Sequence, residues 1–127
     1  MTRNRTSAKA AGARTERAIA DYLAAALDDD RVDRRVKTGA KDRGDIGGVR
    51  THGKRVVIEA KDCATVSLPA WTAQAHTEAC NDDALVGVVV AKRRGTADPG
   101  QWWVHMTLDD LLALLTGERH GHRKDIA

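Results

Sequence analysis

Apolar residues recur every three or four positions between Ser7 and Leu27, with Ile19, Tyr22, Leu23, Ala26 and Leu27 on one stripe. That spacing predicts a helix. Val32–Lys37 then reads as a short strand, and Thr38 to Gly44 as a loop. Between Asp45 and Asp62 β-branched residues predominate, interrupted by Thr51-His52-Gly53, a short link whose glycine accepts positive φ. The pattern predicts a hairpin of strands over Asp45–Arg50 and Lys54–Asp62. Ser67 is placed as an N-cap with Pro69 in the first turn, which predicts a second helix over Leu68–Cys80, ended by Asn81-Asp82-Asp83. Leu85–Ala91 is apolar throughout, as in a strand buried on both faces. Trp102–Met106 predicts one more strand with one indole inward and one outward. Thr107 opens a helix carrying Leu108, Leu111, Leu112 and Leu115, and Gly117 stops it. The order is α-β-β-β-α-β-β-α.

Composition narrows the picture. A chain of 127 residues suffices for one domain with one core. The longest apolar run, Ala84–Ala91, is too short to span a bilayer, and the N-terminus lacks the apolar core of a signal peptide. A cytoplasmic protein with no membrane partner is expected. Cys63 and Cys80 form no paired motif, so two reduced thiols are expected and no structural zinc site. The net charge is only +3, yet the first 14 residues hold Arg3, Arg5, Lys9 and Arg14 and no acid. Such an arm, about residues 1–8, suits a polyanionic partner or is a solvated terminus; the polar tail over about residues 118–127 is expected to be loose.

The hairpin places charge where a strand has no obvious use for it. With its turn centred on His52, Asp45 faces Glu59 across the strands, with Cβ atoms about 4.5–5.5 Å apart. Two carboxylates so close are destabilising unless a cation, such as a divalent metal ion, lies between them. Lys61 shares their face, whereas Ile58 and Ala60 point the other way into the packing. A bulge at Gly47-Gly48 would shift the register by one and send Asp45 to the opposite face. Glu16 lies three residues before Ile19 and seven before Leu23, on the core-facing stripe of the first helix. It needs a partner, an arginine at the edge of the stripe being the plain alternative. Gln74 shares a helical face with Trp71 and Glu78 and either looks inward or is an ordinary surface residue.

Asp45, the Glu59-Ala60-Lys61 triplet and the helical Glu16 resemble the PD-(D/E)XK nuclease superfamily, the restriction-endonuclease-like fold. Within it, the stretch Arg34 to Asp62 is similar to archaeal Holliday junction resolvases and small resolvase-like phage nucleases; the resemblance spans roughly residues 14–106. It implies an α/β core with a central mixed sheet of about five strands flanked by helices, in a bacterial or phage-infected cell. Gly44 precedes Asp45 where many members have proline, and Thr38 is the nearest match to a serine that archaeal resolvases carry before the aspartate.

The chemistry implied is phosphodiester hydrolysis. A hard cation, Mg²⁺ with Mn²⁺ as substitute, would be held by Asp45, Glu59 and the backbone carbonyl of Ala60. Lys61 would hold the attacking water and offset transition-state charge. By resemblance, Glu16 would reach a metal-bound water or a second ion, and Gln74 would orient Lys61 or a phosphate oxygen. DNA would approach over Arg34, Arg35, Lys37, Lys41 and Arg43, then Lys92, Arg93 and Arg94, with Arg3, Arg5 and Arg14 from the arm. Such contacts carry little base information, so branched DNA is the expected substrate. Symmetric cutting of a junction implies a homodimer. The alternatives are a flap, single-strand or repair nuclease of the same fold, or a DNA-binding module without catalysis.

Overall fold

The structure is a computed structural model describing residues 4–36, 39 and 41–120. Its elements run α1 (Arg5–Leu27), β1 (Asp33–Arg34), β2 (Ile46–Gly47), β3 (Arg50–Thr51), β4 (Lys54–Lys61), α2 (Leu68–Asn81), β5 (Val86–Ala91), β6 (Trp103–His105) and α3 (Leu108–Thr116). A 3₁₀ turn over Pro99–Gln101 precedes β6. With β2 and β3 counted as one bulged strand, this is the order the sequence predicts. The sheet runs β1-β2-β4-β5-β6, with β3 paired to β4 alone. Its pairs are antiparallel except β4 and β5, which are parallel and joined through α2.

Side-chain alternation divides the sheet into two covered faces. Ile46, Ile58, Val86, Val88 and Val90 pack with Ile19 and Ala20 of α1 and Ala113 of α3. Val89 and Ala91 pack instead with Trp71 and Ala75 of α2. Glu59 and Lys61, out of phase with Ile58, therefore belong to the α2 face. Helix α2 lies very close to the sheet: a Cβ on Gly87 would stand 2.1 Å from the Ala75 carbonyl oxygen.

The hairpin reaches its register by two offsets that cancel. His52 and Gly53 both have positive φ, 51° and 74°. They form a two-residue turn that pairs Thr51 with Lys54 and Arg50 with Arg55. The turn is thus centred between His52 and Gly53 and not on His52. One residue is then absorbed at Gly48, whose φ is +88° and whose added Cβ would lie 2.2 Å from the Arg31 carbonyl oxygen. Beyond this bulge Ile46 faces Ile58, which sets Asp45 beside Glu59. The irregularity expected to spoil the pairing is what restores it. The tip of the hairpin is fastened to the end of α3: His52 Nε2 lies 3.0 Å from the Leu114 carbonyl oxygen, and Lys54 Nζ donates to that of Gly117 at 2.8 Å.

The helices depart from expectation in particular places. Asn4 accepts the Ser7 N–H and starts α1 two residues before Ser7. Its buried face is Ala11, Thr15, Ile19 and Ala20. Tyr22 and Leu27 remain exposed. Ser67 precedes α2 without a side-chain capping bond. Helix α3 has the capping box Thr107–Asp110 and buries Asp110 and Ala113. Leu108, Leu111, Leu112 and Leu115 all turn outward, Leu108 at 80% exposure. Burial alone would raise the Asp110 pKa, but hydrogen bonds from His76, Arg119 and Thr107 outweigh it and hold the carboxylate ionised below its usual range. Arg119 also donates to the Leu85 carbonyl oxygen, so the start of the tail is docked and not loose. Trp102 is buried and Trp103 exposed, as alternation predicts. Cys63 and Cys80 are free and exposed. Among the described residues no helix is long and apolar enough to cross a membrane.

Substituting Gly87→Ala should force α2 off the sheet, at a cost of about 1–3 kcal/mol. A lower midpoint of chemical denaturation, with an unchanged slope, is the expected result.

Candidate active site

Asp45 is held from three directions. Its N–H donates to the Ile58 carbonyl oxygen at 2.9 Å, its carbonyl oxygen accepts from Arg35 N–H at 2.8 Å, and Oδ2 accepts from Ala60 N–H at 2.8 Å. The aspartate is buried at the edge of β2, with Glu59 on the adjacent strand. On the same face Lys61 Nζ lies 3.4 Å from Glu59 Oε2. The predicted trio of Asp45, Glu59 and Lys61 is therefore brought together.

Gln74 looks inward. Its Oε1 accepts from Lys61 Nζ at 2.7 Å, and its Nε2 donates to Glu59 Oε2 at 2.8 Å and to Glu78 Oε2 at 3.1 Å. One amide thus fixes an ammonium and two carboxylates at once. Glu78 is one helical turn beyond Gln74 and only 1% exposed. Asp42 completes the group, its carboxylate lying within 4.8 Å of those of Glu59 and Glu78. Its loop is tied down where Asp42 Oδ1 accepts from Gly44 N–H at 2.9 Å and its carbonyl oxygen accepts from Asn81 at 2.7 Å.

Three carboxylates, from Asp42, Glu59 and Glu78, thus converge, with Asp45 at the edge of the strand beside Glu59 and the Lys61 ammonium 3.4 Å from Glu59 Oε2. Glu59 Oε1 and Glu78 Oε1 are buried and accept no hydrogen bond. Unpartnered carboxylate oxygens are costly in an interior and need a cation or a proton. Burial is the main reason that both glutamates are pushed up to about 7; Glu78 adds to the rise at Glu59, and Asp42 to that at Glu78. The donor set is all oxygen, which fits Mg²⁺ or Mn²⁺ and not a thiolate-seeking metal.

Other predicted residues lie elsewhere. Glu16 is not among the converging carboxylates: its Oε1 accepts from Arg34 Nε at 3.1 Å and Nη2 at 2.9 Å, the arginine pairing that was the plain alternative. Arg34 is correspondingly engaged, and Arg35 is paired with Asp82 at 2.9 Å. Arg5, Arg14, Lys41, Arg43, Lys92 and Arg93 are on the surface. Arg3, Lys37 and Thr38 lie outside the described residues. Sequence reasoning misses Glu78 and Asp42 as site residues. Glu78 had a signal in its four-residue spacing from Gln74; Asp42 had none, since only the folded loop carries it to the sheet.

Both glutamates ionise near 4.5 when unfolded and near 7 when folded, so between those values the folded chain holds protons that the unfolded chain has released. In EDTA, stability should therefore fall as pH rises through that window and stay low above it. Glu78→Gln should melt higher than the parent protein at about pH 8 but not at about pH 4, and any rise in melting temperature that Mg²⁺ produces in the parent should be reduced in the variant. Thermal melts with and without the metal check both. The chain matches no family model, and no curated protein or solved structure is significantly similar to it, so the chemistry of this centre rests on its own residues.

Proposed function

We propose that the protein is a Mg²⁺-dependent DNA endonuclease with a restriction-endonuclease-like core of the PD-(D/E)XK type, acting on branched DNA in the manner of a Holliday junction resolvase. The observation that supports this most directly is the pair of buried, unpartnered oxygens on Glu59 and Glu78 beside Lys61. A pure DNA-binding module gains nothing from carboxylates set against phosphate, and a structural ion-pair network would leave no acceptor empty.

Asp45 and Glu59 would hold the cation, with Glu78 and Asp42 as additional ligands or as acceptors for its waters. Bound there, a divalent cation would supply charge neutralisation at the phosphoryl group and a lowered pKa for a bound water. Lys61, directed by Gln74, holds the attacking water or a non-bridging phosphate oxygen and offsets the charge that grows there. Gln74 bonds both members of the Lys61–Glu59 ion pair and so orients them relative to each other. Lys41, Arg43, Lys92 and Arg93 contact the backbone of the substrate. Two-fold symmetric cutting calls for a homodimer, and the outward leucines of α3, with Leu115 at 70% exposure, suit its interface.

Labelled four-way junction, flap, duplex and single-stranded DNA, incubated with Mg²⁺, Mn²⁺ or EDTA, provide the test. Paired nicks on opposite strands of the junction are expected with metal only. Asp45→Asn and Lys61→Ala should abolish them while Lys61→Ala still binds DNA; Gln74→Ala should slow cutting about 10–100-fold. Metal-dependent cutting of another substrate would move the function to repair or end processing. Binding with no cutting would overturn the proposal. Leu115→Arg should convert a dimer to a monomer in sedimentation and reduce paired nicking to single nicks.

A further inference from the structure

A cleft of about 450 Å³ opens on the other side of Lys61 from the carboxylates. Trp71, His105, Trp103, Arg93 and Arg94 line it, together with Cys63. Among the described residues no acidic side chain lines it. Lys61 is therefore a boundary: acids that suit a cation lie on one side, and a basic, aromatic hollow that suits an anion with a flat ring lies on the other. The chain has only four aromatic residues of the Phe, Trp and Tyr types, and two of them face this hollow. Trp103 is 51% exposed, an unusual position for an indole with no binding role. Arg93 already stacks on it, with Cζ 4.3 Å from the ring centroid. Behind them Trp71 and His105 meet at a centroid distance of 6.1 Å.

We infer that this cleft seats an unpaired nucleotide next to the phosphate that is cut. Its base extends the Arg93–Trp103 stack, and its flanking phosphates lie on Arg93 and Arg94. A base still paired within a duplex presents no free face to such a hollow, so the substrate must offer an unpaired or extruded base at the cleavage point, as a flap does and as a junction does once a branch-point base is extruded. The position of the cleavage point rests on the nuclease reading; the binding of the base does not. Sequence discrimination is not expected, because every base has a face to stack.

The test measures affinity in EDTA, where cutting plays no part. The probes are an oligodeoxythymidylate and an oligomer of the same length with abasic residues, followed by quenching of tryptophan fluorescence and by anisotropy of an end label. The thymidylate should bind about tenfold tighter than the abasic strand, and Trp103→Leu should remove that preference while leaving weak, salt-dependent binding to both. The thermal melt of the variant should match that of the parent, since its side chain is half exposed. Equal affinity for the two strands in the parent, or a preference that survives Trp103→Leu, would overturn the inference. So would a variant whose only change is a loss of self-association, which would assign Trp103 to a contact with a second copy. If the base preference is present but no DNA is cut in Mg²⁺, the cleft stands as a single-strand site and the nuclease reading falls. If DNA is cut without any base preference, the nuclease reading stands and the cleft holds no base.

Discussion

The absence of a side chain at Gly87 lets α2 rest against the sheet, and the candidate centre depends on that contact. With the Ala75 carbonyl oxygen almost touching the glycine, Gln74 and Glu78, one residue before and three after, are delivered to the same face as Glu59 and Lys61. Helix and strand contribute equally to the polar group, and neither could assemble it alone. The parallel pairing of β4 and β5 is what makes α2 a crossover and so positions it above both strands.

Such a centre is a poor way to stabilise a protein. Burying Glu59 and Glu78 with empty acceptor oxygens opposes folding, and the apolar packing of the two sheet faces must offset it. Local rules broken in this manner are concentrated at sites of chemistry more often than elsewhere. Asp110 makes the contrast plain: equally buried, it is surrounded by His76, Arg119 and Thr107, with nothing left unsatisfied. The same molecule therefore contains one acid arranged for structure and a group of acids arranged to receive something.

Much of this was legible along the chain because it depends on period. Alternation separated Glu59 and Lys61 from Ile58, helical spacing put Gln74 on one face with Glu78, and punctuation by glycine and capping residues bounded the elements. What was not legible depends on distance in space. Asp42 reaches the centre only because Asn81 holds its loop, and Arg34 and Arg35 are drawn into pairs with Glu16 and Asp82 that no sequence pattern announces. The register of the hairpin was anticipated through a turn one half-step out of place, corrected by a bulge that had been counted against it. The leucines of α3 follow helical spacing well, yet they point away from the core, because period identifies a face without saying what covers it.

The fastening of the hairpin tip to α3 bears on how the protein is made. His52 and Lys54 satisfy carbonyl groups at the end of the last helix, which leaves the ribosome after every other element of the fold. Until residues 108–117 emerge, the strand that carries Glu59 and Lys61 has a loose outer end. The hairpin tip, and not the far end of β4 where Glu59 and Lys61 lie, is thus the part of the sheet that is fastened last as the chain is made.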